Sequence, residues 1–295
     1  MVNSPSLLGG IEAGGTKFVC AIGKPPDQIY AVERFPTTSP DETLGRVIDF
    51  FRSQPQVPES IGIATFGPAD LHLDSDTYGY ITTTPKQGWS YTDLVGPIRQ
   101  HLNMPVAFDT DVNGAAMGEY LWGAGHGCKN LLYLTVGTGF GGGALVNGHP
   151  IHGLVHPEMG HLLLPRADGD DFEGNCPFHG ACLEGMASGA AIKARWGISA
   201  ESLPADHVGW SYEAHYLAHA LMNFILILSP QRIIMGGGVM EQRHLFPSIR
   251  SRVQSLLNGY VRADEILHGI DHYIVPPSLG SEAGVLGAMA LAMTL

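Results

Sequence analysis

Positive charge is scarce in this chain: its 295 residues carry 16 Lys and Arg against 28 Asp and Glu, a formal net charge of -12. A surface so biased offers no general attraction to nucleic acid or anionic lipid, so any phosphate the protein holds must be gripped by local groups. Long apolar runs are missing too. No stretch of 18 or more apolar residues exists, and the opening MVNSPSLLGG lacks the basic start and apolar core of a secretion signal. Cysteine is sparse, at four residues (Cys20, Cys128, Cys176, Cys182), and without an export signal a disulfide framework is disfavoured. These absences lead to the expectation of a cytoplasmic protein with neither nucleic-acid nor membrane partners. With 44% apolar and 15% charged residues, the chain has the composition of an ordinary globular protein long enough for two modest domains.

Glycine, by contrast, is abundant, with 39 residues, and much of it falls between apolar strands. GGIEAGGTK, residues 9–17, resembles a Walker A loop with Thr16 and Lys17 in reversed order. A Walker loop feeds a helix, whereas FVCAIG after this turn alternates like a strand, so the reading is strand, Gly-rich turn, strand. VGTGFGGG further on satisfies G-x-G-x-x-G through Gly137, Gly139 and Gly142, yet ALVNG after it is again strand-like, which excludes a dinucleotide fingerprint. Either turn alone reads as a structural hairpin. Together with IIMGGGVM (233–240), they form three glycine turns at strand ends that can surround one nucleotide.

The order of elements is βββ-α-β-α-β-α, followed by a second half with the same opening. Strands are expected at LLGGIEA, FVCAIG, IYAVERF, SIGIATFG, MPVAFDT, NLLYLTVG, GGGALVNG and RIIMGGG. The first helix should be capped by Ser39 or Asp41 and buries Leu44, Val47, Ile48 and Phe51. Further helices are expected around WSYTDLVGPIRQHL, DVNGAAMGEYLWG, from about Cys182 to Trp196, EAHYLAHALMNFILILS, HLFPSIRSRVQSLL and SEAGVLGAMALAM, with a loop-rich region at 147–180. FDTDVNG places Asp109 and Asp111 at a strand end, where the start of a helix turns the second carboxylate away from the first. Asp111 has two readings, a helix N-cap or a base for phosphoryl transfer to an alcohol. Cys176, His179 and Cys182 recur every three residues, so one loop can aim all three at one ion, with a fourth ligand needed for tetrahedral zinc.

In order along the chain, GGIEAGGTKFVCAIG, DTDVNGAAMGE, TVGTGFGGG, HPEMGH and CLEGMASG resemble the ROK family of sugar kinases, within the actin and hexokinase-like ATPases, and in particular its bacterial fructokinase branch. The resemblance implies an α/β, two-lobed, ribonuclease H-like fold with a central cleft and a zinc-stabilised loop. The first lobe would span 1–115, with the helix at about 282–295 packing back on it, and the second 116–281. ATP with Mg2+ would be held by Gly14, Gly15, Thr16 and Lys17 on one side and Gly137, Thr138 and Gly139 on the other, with Gly236, Gly237 and Gly238 near the adenosine. Asp111 would be the base, and Gly67, Asn113, Glu158, His161 and Glu184 would meet the sugar.

Structural zinc would take Cys176, His179, Cys182 and, from the Glu-x-Gly-His motif, His161, with His156 and His152 as runners-up. Two departures stand out: Glu12 where many superfamily members carry Asp, and His179 where many family members use a third cysteine. The resemblance thus points to an ATP-dependent kinase for D-fructose and to a homodimer, with mannose, glucose or an N-acetylhexosamine as alternative substrates. A ROK-type repressor would need a DNA-binding segment for which the hairpin beginning at residue 9 leaves no room. A non-catalytic sugar sensor is opposed by the presence of Asp111 and both phosphate turns.

Overall fold

In the computed structural model, which describes residues 6–295, the chain divides into two units. Residues 1–5, where the segment read for a secretion signal begins, lie outside the described residues. The first unit takes in residues up to 127, together with 148–157 and 278–295. Its sheet is built from β1 (Leu8–Ala13), β2 (Lys17–Lys24), β3 (Gln28–Pro36), β4 (Ser60–Thr65) and β5 (Val106–Thr110). The strand order is β3-β2-β1-β4-β5, with β1 antiparallel to β2 and parallel to β4.

Both faces of this sheet are covered, so β4 is buried at every residue rather than alternating. Side-chain alternation instead sorts residues between two cores. Phe18, Cys20 and Ile22 of β2 join Ile11, Ile61, Ile63 and, from α1 (Pro40–Arg52), Leu44, Val47, Ile48 and Phe51. Each such fully buried Ile or Phe contributes about 1.5–3 kcal/mol relative to exposure. Val19 and Ala21 face the other way, onto Val285, Leu286 and Met289 of the closing helix (Ala283–Ala292). That helix lies so close to the sheet that a Cβ at Gly62 would collide with the carbonyl oxygen of Ala288. Glu119, fully buried, accepts the N–H groups of Ala124 (2.6 Å), Ser278 and Leu279 (both 3.0 Å), tying the closing segment to α3 (Asp111–Trp122).

Ser39 caps α1, its hydroxyl accepting Glu42 N–H at 3.5 Å. The helix expected over WSYTDLVGPIRQHL is shorter than the pattern suggested: α2 runs only Val95–Leu102. Thr92 and Asp93 pair with Tyr80 and Ile81, and the Asp93 carboxylate accepts Gly96 N–H at 2.7 Å, so the chain is committed to a turn before the helix begins.

The second unit holds 128–147 and 158–277. It repeats the plan: β6 (Leu131–Val136) is antiparallel to β7 (Phe140–Val146) and parallel to β8 (Arg232–Gly236), which is parallel to β9 (Ile274–Val275). The helix expected from Cys182 to Trp196 is two helices, α4 (Leu183–Met186) and α5 (Gly189–Trp196). Ser188 breaks the run by taking an extended backbone and accepting Ala191 N–H on its hydroxyl at 3.1 Å, a helix cap. Two long helices, α6 (Gly209–Leu228) and α7 (Leu245–Leu257), complete this unit. Among the described residues no helix is long and apolar enough to cross a membrane, and all four cysteines are free.

Candidate active site and metal centre

The two glycine turns occupy equivalent places, each joining the antiparallel pair that opens its sheet. In the first, Thr37 holds the carbonyls: its hydroxyl donates to Gly14 O at 2.6 Å and its N–H to Thr16 O at 2.9 Å. Gly14 N–H closes the turn on Lys17 O at 3.0 Å. The amides of Gly15 and Thr16 then have no protein acceptor among the described residues. In the second turn the start of α5 takes the same role. Gly189 N–H donates to Gly137 O at 2.7 Å and Ala190 N–H to Thr138 O at 3.2 Å, leaving the amides of Thr138 and Gly139 without a protein acceptor among the described residues. Backbone amides presented in this way form a nest for an anion. A side chain at Gly15 or Gly137 would meet nothing within 4 Å, so the space before both turns is open. The third glycine run ends β8: Gly237, at φ +91°, brings its backbone against Val136, the residue before Gly137.

Thr110, not Asp111, caps the helix. It is the N-cap of α3, its hydroxyl accepting Asn113 N–H at 3.2 Å, so the cap position is filled by its neighbour. Asp111 comes next as the first helical residue, exposed, with Oδ1 accepting Val112 N–H at 2.8 Å. Its position in the first turn sets it at the positive end of the helix dipole. Asp109 is instead buried and saturated. Its Oδ1 accepts Thr110 N–H and the Asn113 amide, both at 2.7 Å, and its Oδ2 meets His152 Nε2 at 2.9 Å. This hydrogen bond to Asp109 raises the His152 pKa above its ordinary value against the opposing effect of burial. Glu12, half-buried, has its carboxyl pKa raised by burial, with Lys17 and Arg34 pulling the other way.

The loop-rich region condenses around four ligand atoms. His161, Cys176, His179 and Cys182 place theirs within 4.8 Å of one another. Nδ1 of His161 lies 3.5 Å from Cys182 Sγ and 3.8 Å from Cys176 Sγ, and Nδ1 of His179 lies 3.8 Å from Cys176 Sγ. Tetrahedral zinc with ordinary Zn–S and Zn–N bonds requires S···N edges of about 3.6 Å, so the donor set fits. A hairpin sets the spacing: Cys176 N–H and O pair with Gly180 O and N–H at 3.2 and 2.9 Å. The runners-up for the fourth ligand fall elsewhere. His152 is held by Asp109, and the buried His156 accepts Ala69 N–H at 3.2 Å beside Gly67.

Glu158 is exposed at the start of the Met159–His161 turn. Glu184 accepts Phe140 N–H on Oε2 at 3.0 Å, beside the second glycine turn. Sequence reasoning missed Thr37 as a support of the first turn and the amides of Gly189 and Ala190 as supports of the second, although Thr37 and Ser188 each precede a helix as small hydroxyl residues, the one visible signal. It had no signal for the His152–Asp109 pair, which spans 43 residues.

Comparison with known proteins identifies the family and the fold. The ROK family model matches residues 8–294. A fructokinase of Zymomonas mobilis is 46% identical over 99% of this chain and 98% of its own length. A Pediococcus pentosaceus fructokinase is 44% identical, covering 97% of each chain. The crystal structure of a ROK hexokinase from Thermus thermophilus superposes with a TM-score of 0.80 at 23% identity, covering 98% of each chain, a likeness of fold.

Proposed function

Because the chain belongs to the ROK family, we propose that it is an ATP-dependent sugar kinase that phosphorylates D-fructose at its 6-hydroxyl. The observation that carries the sugar is the near-full-length similarity to relatives named fructokinase, at 44–46% identity. In this reading the amides of Gly15, Thr16, Thr138 and Gly139 receive the ATP phosphates with Lys17 alongside, and Gly236–Gly238 lies on the adenosine side. The Mg2+ that accompanies ATP offsets phosphate charge. Asp111 takes the proton of the sugar hydroxyl as its oxygen bonds to the γ-phosphorus and the bond to ADP breaks. Gly67, Asn113, Glu158, His161 and Glu184 orient the sugar by hydrogen bonds.

His161, Cys176, His179 and Cys182 would hold zinc in a structural role, since four protein ligands would leave no open position for chemistry. A cytoplasmic homodimer completes the proposal, its assembly measurable by light scattering. A coupled ADP-release assay over fructose, mannose, glucose and N-acetylhexosamines tests the substrate. Fructose should give the highest kcat/KM, since a site built to bond particular hydroxyls rejects analogues by large factors. Glucose or an N-acetylhexosamine ahead by tenfold would keep the kinase and remove fructose. Absence of turnover on every sugar would favour a sensor.

A further inference from the structure

The second glycine turn closes on Phe140, and both polar backbone atoms of that residue are met by the two segments that supply the metal ligands. Its N–H donates to Glu184 Oε2 at 3.0 Å, two residues after Cys182. Its carbonyl oxygen is approached by Gly160, one residue before His161, so closely that a Cβ there would collide with it. Gly139 is pressed from the same side: a Cβ on it would stand 2.6 Å from Glu184 Oε2. The carbonyls of Gly137 and Thr138 are held by Gly189 and Ala190, a few residues further along the chain that carries Cys182 and Glu184. Beyond its own closing hydrogen bond and the paired strands it joins, the turn is braced by the chain around the metal: its last residue is clamped between the 158–161 and 182–184 segments, and its carbonyls rest on the first residues of α5.

We propose that the metal centre is the footing of the second phosphate turn, with Glu184 as the positioning residue that couples them, so that metal and Glu184 govern nucleotide affinity as well as sugar binding. This rests on the reading of Gly137–Gly139 as a phosphate turn. The two oxygens of Glu184 have separate roles, Oε2 being committed to Phe140 N–H and Oε1 being left for a sugar hydroxyl. A role confined to the sugar would leave nucleotide binding in the absence of sugar untouched.

The test is the Kd for ADP with Mg2+, measured by titration calorimetry without sugar, on zinc-loaded protein. Glu184→Ala should weaken ADP on the order of tenfold, the scale of one hydrogen bond to a charged group. Glu184→Gln keeps a carbonyl oxygen for Phe140 N–H and should recover ADP affinity to within about threefold while the fructose KM stays raised, since only the charge is lost. Wild-type protein stripped by a chelator, with its fold checked by circular dichroism, should lose ADP affinity as Glu184→Ala does. If Glu184→Ala does not fold, Glu184→Gln and the stripped protein decide.

Gly137→Val provides the reference. It adds a side chain into open space before the turn without touching Glu184, and should weaken ADP. If Gly137→Val weakens ADP while Glu184→Ala and metal removal leave it unchanged, the coupling is wrong and the phosphate turn stands. If Gly137→Val has no effect either, the turn does not hold the nucleotide and the proposal falls with it.

Discussion

At the scale of single residues, Thr110 takes the helix cap, which leaves Asp111 available for the base role proposed for it. Both residue types cap helices well, and sequence pattern fixes a helix start only to within a residue or two, so FDTDVNG left the choice open. With Thr110 as the cap, Asp111→Asn leaves the start of α3 intact. We expect kcat to fall by roughly 100-fold or more, the scale of a positioned general base, with the melting temperature nearly unchanged. Near-normal turnover in a stopped-time ADP assay would remove Asp111 from the mechanism. The residues that could hold a metal were legible for a related reason. Three donors at i, i+3 and i+6 lie on one short loop, and spacing alone shows that they can converge. The fourth lies across a loop of irregular structure, and only the fold shows that His152 is spent on Asp109 and His156 on Ala69 N–H.

At the scale of elements, strands and their glycine turns matched the sequence pattern closely, because period-2 alternation and turn chemistry are local. The break between α4 and α5 did not: GMASGAAI holds no proline, and its small residues continue a helical period until Ser188 competes for the backbone. The long helix α6 hides a feature that periodicity cannot show. Glu213 is buried, its Oε1 without a hydrogen-bond partner among the described residues, and its pKa is pushed up to about 8 by burial, which outweighs the pull of Arg195. The folded protein therefore keeps a proton that the unfolded chain releases near its ordinary value of 4.5. Stability contributed by the neutral carboxyl is fully present below that value, declines as the pH rises toward 8, and levels off above. Glu213→Gln removes this titration, so its melting temperature relative to wild type should rise between pH 5 and pH 9 in a scanning fluorimetry series. A difference independent of pH would mean that Glu213 is ionised, or neutral, throughout.

At the scale of the whole molecule, a net charge of -12 surrounds a protein proposed to take ATP, itself an anion. Long-range repulsion slows such an encounter and salt screens it. kcat/KM for ATP should therefore rise from about 20 to about 150 mM ionic strength while that for fructose, uncharged, stays level; a fall for ATP would mean that the field at Lys17 and the turns outweighs the rest. The repeated plan of the two units was readable because each opens with the same hairpin. The tie from Glu184 to Phe140 was not, since it joins residues 44 apart that no local pattern relates. The closing helix has its own long-range consequence, which concerns time. Its residues complete the core over Val19, Ala21 and the glycine face of β4, yet they are made only after the whole of the second unit. On a ribosome adding roughly 5–20 residues per second, the first unit waits with one side of its sheet uncovered until that helix is made, and the second unit, all of which precedes it, can finish folding first.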